Sequence, residues 1–180
     1  MEQTSRQFDS VILACKDIFL KKNADYGTSW RILRGTTITD QLFIKAQRIR
    51  GIETNGYHLI NEGIEPEYIG IINYAVMGLI QLQLQDDQRI ELPVEEAETY
   101  FDEIIATVKA LMIKKNHDYG EAWREMRISS FTDMVLVRIR RIRQIEDNSG
   151  QTFVSEGIDA NYMDIINYAI FALIRMAEKV

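Results

Sequence analysis

Asp164, Asn167 and Tyr168 are spaced i, i+3 and i+4, at the head of and within an apolar run, Ile165 to Ile174. That spacing sets a carboxylate, an amide and a phenol on one face of a helix. A carboxylate on an apolar helix is costly unless it meets a cation or a base. Asp164 is therefore a candidate metal ligand or ligand anchor. Asn73 and Tyr74 take the corresponding places in an earlier apolar run, Ile69 to Ile80, where Gly70 stands instead of the carboxylate. A buried amide without a partner costs about 1–3 kcal/mol. Asn73 and Asn167 thus each require either an internal hydrogen bond that sets helix packing or a bound ligand.

Glu62 and Glu156 precede these two apolar runs, each followed by glycine. Carboxylates brought together from successive helices can hold Mg²⁺, which takes oxygen ligands together with substrate phosphates. The set Glu62, Glu156 and Asp164 is the expected metal-binding and catalytic group. The alternative is that the Glu-Gly pairs are turns and the acids favour a helix N-terminus. Lys21-Lys22-Asn23-Ala24-Asp25-Tyr26-Gly27 recurs as Lys114-Lys115-Asn116-His117-Asp118-Tyr119-Gly120. Lysines before a glycine make a helix C-terminus, yet capping does not demand the repeated Asn and Asp. Lys22 and Lys115 are candidates for phosphate, and Asp25, Asp118, Tyr26 and Tyr119 for other parts of a ligand. Trp30 and Trp123 are candidates to stack on a base, or are core contacts. Arg48 and Arg141, each three residues after Lys45 or Arg138, are candidates for phosphate or a solvated face. Four arginines between Arg138 and Arg143 raise nucleic acid as a partner, but no aromatic residues interleave them and the chain is acidic.

These residues must be positioned by a chain that is written twice. Between Lys21 and Glu53, 16 of 33 positions are identical to those 93 residues later, and Ile71-Ile72-Asn73-Tyr74-Ala75 returns as Ile165-Ile166-Asn167-Tyr168-Ala169. The boundaries expected are residues 1–85 for the first repeat and 93–180 for the second, packed as one bundle with a pseudo-twofold axis. Each repeat reads as three helices. They run from about Gln7 to Lys22 and Pro93 to Lys115, from Thr39 or Thr132 (as caps) to Glu53 or Glu146, and from Pro66 to Leu84 and Asp159 to Lys179. The expected class is all-α. The chain has 180 residues, 46% apolar and 27% charged, with a net charge of −6. That composition supports a packed core and argues against disorder. One cysteine, Cys15, and two histidines exclude an internal disulfide and a Cys/His zinc site. No apolar run long enough to span a membrane is present, and the opening residues lack a signal-peptide pattern, which gives a cytoplasmic protein as the expectation.

The repeated Lys-Asn-x-Asp-Tyr-Gly-x-x-Trp, the Arg-Ile-Arg helix and the Glu-Gly-Ile before Ile-Ile-Asn-Tyr-Ala together resemble the nucleotide modification associated domain, first type. That family is similar to the all-α nucleoside triphosphate pyrophosphohydrolases of the MazG-like and dimeric dUTPase class. The resemblance implies a helical bundle that binds a nucleotide and, with Mg²⁺, cleaves an α–β phosphate link. It assigns the metal-side acids to Glu62 and Glu156 and ligand contacts to Asn73-Tyr74 and Asn167-Tyr168. The chain departs from it where Pro66 and Ala160 stand in place of an expected Asp, and Gly70 in place of the equivalent of Asp164. The expectation is a nucleotide-binding protein, in the fullest form a Mg²⁺-dependent pyrophosphohydrolase of modified-nucleotide metabolism. The alternative is a non-catalytic helical binding or structural module with a degenerate site. A further homodimer is compatible with either.

Overall fold

A computed structural model describes residues 2–56, 63–152 and 156–178. The described residues form six long helices: α1 (Glu2–Tyr26), α2 (Gly35–Asn55), α3 (Glu65–Gln83), α4 (Val94–Tyr119), α5 (Ile128–Asp147) and α6 (Ile158–Ala177). A short 3₁₀ turn follows α1 (Ser29–Ile32) and another follows α4 (Ala122–Glu125). The all-α class stands.

Local chemistry explains most of the ends. Gly120 adopts φ 59° after α4 and its N–H closes on the Asn116 carbonyl at 3.0 Å, the left-handed C-terminal stop that glycine allows. Pro66 lies in the first turn of α3 beside Glu65 and Glu67, where the missing N–H costs nothing and the acids favour the dipole. Pro93 sits one residue earlier than expected, capping α4 rather than opening it. Helix α1 starts at Glu2, five residues before the expected Gln7.

The second helices overturn one expectation. Thr39 and Thr132 are not caps. Extended Arg34 and Arg127 precede α2 and α5, and both threonines lie buried inside the helices. Their hydroxyls cross between repeats: Thr39 donates to Glu146 at 2.7 Å and Thr132 to Glu53 at 2.9 Å. Tyr68 is 2.7 Å from Thr132. The ion pairs Arg143–Asp40 (2.8 Å) and Arg50–Asp133 (3.9 Å) obey the same pseudo-twofold relation.

Burial pushes the carboxyl groups of Glu53 and Glu146 above the usual carboxylate range, against the opposing effect of the threonine hydroxyls. A raised folded pKa means that the protonated form is favoured on folding. The associated stability is present at low pH and is lost as pH rises through the folded pKa. Glu146→Gln keeps an acceptor for Thr39 and removes the charge. We expect this variant to be more stable than wild type at pH 7 and equal to it at pH 3, as read from urea unfolding midpoints.

Helices α3 and α6 are apolar nearly all round and form the centre, as a helix without a polar face must. Ile71, Ile72, Ala75, Ile165, Ile166 and Ala169 are fully enclosed. Gly78 of α3 permits their close approach, since a Cβ there would fall 2.6 Å from the Tyr162 ring. Gly78→Ala is expected to destabilise by about 1–3 kcal/mol through overpacking, measured by urea unfolding. Among the described residues no helix is long and apolar enough to cross a membrane.

Candidate functional site

Repeat 2 holds a pocket of about 460 Å³ between the end of α4, the turn after it, α5 and α6. This lies within the range typical of small-molecule sites. Lys115, Asn116 and Tyr119 come from the last turns of α4, Trp123 from the 3₁₀ turn, and Met134 and Arg138 from α5. Helix α6 contributes Asp164, Asn167, Tyr168 and Phe171, spaced so that one face lines the cavity.

The carboxylate of Asp164 has only 5% of its side chain exposed and is held by two cations. Lys115 Nζ lies 2.6 Å from Oδ1 and an Arg138 guanidinium nitrogen 3.0 Å from Oδ2. Charge-assisted bonds of this length account for a carboxylate on an apolar helix. Asn167 is different. Neither its amide nitrogen nor its amide oxygen has a partner among the described residues, although the side chain is buried. The Trp123 indole N–H is equally unpartnered. That indole is stacked on Phe171 at 4.2 Å and 7°, with the Arg124 guanidinium 4.4 Å from its ring centre. Buried polar groups are nearly always hydrogen-bonded. A donor–acceptor amide and an indole donor without partners among the described residues thus stand at one cavity.

Repeat 1 carries the equivalent pocket, about 320 Å³, lined by Lys22, Lys45, Gly70, Asn73 and Tyr74 among others. Two of the donors in this region are paired internally. Asn73 Nδ2 donates to the Cys15 carbonyl at 3.0 Å, and the Trp30 N–H donates to Asn23 at 3.2 Å. Gly70 leaves no carboxylate, and the Lys45 chain lies over it, within 2.9 Å of where a Cβ would stand. Lys45 pairs instead with Glu67 at 3.3 Å. The same helix positions thus leave both polar atoms of Asn167 unpartnered in repeat 2, but only the Oδ1 of Asn73 in repeat 1.

Of the residues singled out from sequence, Lys115, Tyr119, Trp123, Asp164, Asn167 and Tyr168 meet at the larger pocket, and Lys22 and Asn73 at the smaller. Asp25, Asp118 and Tyr26 are exposed and line neither. Trp30 is buried against Phe19 at 6.2 Å. Arg48 pairs with Glu67 at 2.7 Å and does not line a pocket, and Arg141 is also engaged. Glu156 is exposed before α6, and Glu62 lies outside the described residues. The expected metal set is therefore not assembled among the described residues. Asp164 has both oxygens on cations, and no group of three or more His, Cys, Asp or Glu side chains suited to a metal occurs there. The donor set shown does not fit Mg²⁺. The arginine cluster is largely engaged: Arg138 on Asp164, Arg143 on Asp40 and over the Phe43 ring at 4.1 Å. Phe171 was missed from sequence, although its position four residues after Asn167 places it on the same face.

The family described as nucleotide modification associated domain 1 matches residues 22–82 and again 115–176. No curated protein and no solved structure matches the chain. The two matched regions cover most of the sequence, and the chain belongs to that family as two tandem copies.

Proposed function

From that membership, we propose that the repeat-2 pocket is a nucleotide-binding site. The observation that carries this reading is the open amide of Asn167 beside the open indole N–H of Trp123, in a cavity that also holds Lys115 and Arg138. An amide presents a donor and an acceptor side by side, the pattern needed to read the edge of a base. Tyr119, exposed at the rim, supplies stacking surface, and the stacked Trp123–Phe171 pair supplies an apolar wall. Lys115, nearly half exposed at the rim, exchanges Asp164 for a phosphate oxygen. Arg138 offers a planar guanidinium to the same group. Asp164 then keeps the two cations in place while the pocket is empty and accepts a hydroxyl when it is filled.

The test is thermal unfolding in the presence of each standard ribo- and deoxyribonucleoside triphosphate. A ligand that binds only the folded chain stabilises it by about 2.7 kcal/mol at one hundred times its dissociation constant. A shift with at least one nucleotide, absent in Asn167→Leu, is expected. No shift with any of them overturns the reading.

A second reading, Mg²⁺-dependent pyrophosphate release, is favoured by the position of Asp164 beside the phosphate-binding cations. It requires acids beyond those the described pocket holds. Pyrophosphate assays with and without Mg²⁺ decide it independently of binding. Release that depends on Mg²⁺ and is lost in Asp164→Ala supports it, and absence of release leaves a binding module.

A further inference from the structure

Trp30 and Trp123 occupy equivalent positions, yet their turns are built differently. After α1, Gly27 is left-handed at φ 62° and Thr28 returns to φ −93°. After α4, Gly120 at φ 59° is followed by a second left-handed residue, Glu121, also at φ 59°. A side-chain-bearing residue held there costs about 1–3 kcal/mol, so its surroundings must enforce it. In the first turn the indole N–H reaches Asn23. In the second the indole lies flat on Phe171 with its N–H unpartnered.

Part of what holds the second turn comes from the other repeat. The buried Thr4 hydroxyl, in the first turn of α1, donates to Glu121 at 2.5 Å. Arg124 donates to Thr4 at 2.6 Å, to Gln7 at 2.8 Å and to Glu121 at 2.9 Å, and reaches Glu178 at 2.5 Å. The same guanidinium lies over the Trp123 ring, 4.4 Å from its centre.

We propose that Thr4 and Gln7 are positioning residues for the repeat-2 pocket: the start of α1 holds Glu121 left-handed ahead of the Ala122–Glu125 turn and thereby fixes the Trp123 indole for the ligand. Every side chain lining the pocket belongs to repeat 2, but the turn that aims one of them is clamped by repeat 1. Repeat 1, whose own Asn73 and Trp30 donors are paired internally, serves the other site. The ligand side of this inference rests on the nucleotide reading; the fixing of the indole does not.

The experiment uses the full chain carrying Trp30→Phe, so that emission reports Trp123 alone. Thr4→Val keeps the shape and removes the hydroxyl, Gln7→Ala removes the acceptor for Arg124 and the 3.0 Å donor to Glu178 at a partly exposed position, and Thr4→Ser restores the hydroxyl. Asp9→Ala is the control, because it cuts only the 2.6 Å pair to Lys109 elsewhere on α1. Without nucleotide, Thr4→Val and Gln7→Ala should red-shift Trp123 emission and raise its quenching by acrylamide, while Thr4→Ser and Asp9→Ala match the parent. Affinity for the standard nucleoside triphosphates should fall about tenfold in Thr4→Val, the weight of a lost bond to a charged group. Unchanged emission and quenching in both variants, an equal change in Asp9→Ala, or unchanged affinity in a parent that binds, each overturns the proposal. If the indole signature moves but the parent binds no triphosphate, the nucleotide reading fails and the positioning role stands.

Discussion

Replacing Asn167 by leucine is expected to abolish nucleotide binding and to raise the stability of the ligand-free chain by about 1–3 kcal/mol. The amide is buried on α6 with both polar atoms unpartnered, so the empty protein carries its desolvation without compensation. Leucine has a similar size and no polar atoms, and the neighbouring Phe171 and Met112 offer it apolar contact. A gain in stability coupled to a loss of binding is the signature of a residue kept for a ligand. The equivalent change at Asn73 behaves differently, because that side chain already donates to the Cys15 carbonyl. Asn73→Leu removes one made hydrogen bond along with one open acceptor, and stability should stay within about 1 kcal/mol of wild type. Urea unfolding of both variants, with and without nucleotide, checks the contrast.

The second large effect concerns the charges. Changing Lys115 and Arg138 together to methionine strands Asp164, a carboxylate almost completely enclosed. Removing the partners of a buried charge costs about 3–5 kcal/mol, and the double variant should lose that much at neutral pH. Adding Asp164→Ala in the same background should recover most of the loss, since no buried charge then remains. Asp164→Ala alone should be milder. It leaves two cations whose side chains are 45% and 31% exposed and can be hydrated. Chemical unfolding of the three variants gives the coupling energy directly.

Helices α3 and α6 were legible from their unbroken apolar runs, and the tandem repeat told where each element would recur. The i, i+3, i+4 spacing brought Asp164, Asn167 and Tyr168 to one face, as the pocket shows. Two features of the site were hidden for physical reasons. The partner of Asp164 on α5 is Arg138, 26 residues earlier in the chain, and a long-range ion pair leaves no local spacing. Sequence identity also concealed the difference between the repeats. Trp30 and Trp123 are the same residue type, and so are Asn73 and Asn167, but Asn23 and the Cys15 carbonyl take the Trp30 N–H and the Asn73 amide N–H, while the donors of Trp123 and Asn167 stay open. Thr39 and Thr132 were misread because threonine before a helical run signals a cap. Here each faces a glutamate of the opposite repeat, a tertiary contact that outweighs the local preference. Of the three acids expected to hold a metal, Glu62 lies outside the described residues and Asp164 faces Lys115 and Arg138. Glu156 ends in solvent.

The central claim, that one pocket in repeat 2 takes up a nucleotide, is tested most directly by resolving the two indoles during titration. Trp30→Phe leaves Trp123 as the reporter and Trp123→Phe leaves Trp30. With the nucleotide that gives the largest thermal shift, Trp123 emission should change saturably at one equivalent per chain, and Trp30 emission should not change. A saturating response from Trp30, or an end point at two equivalents, would contradict the account.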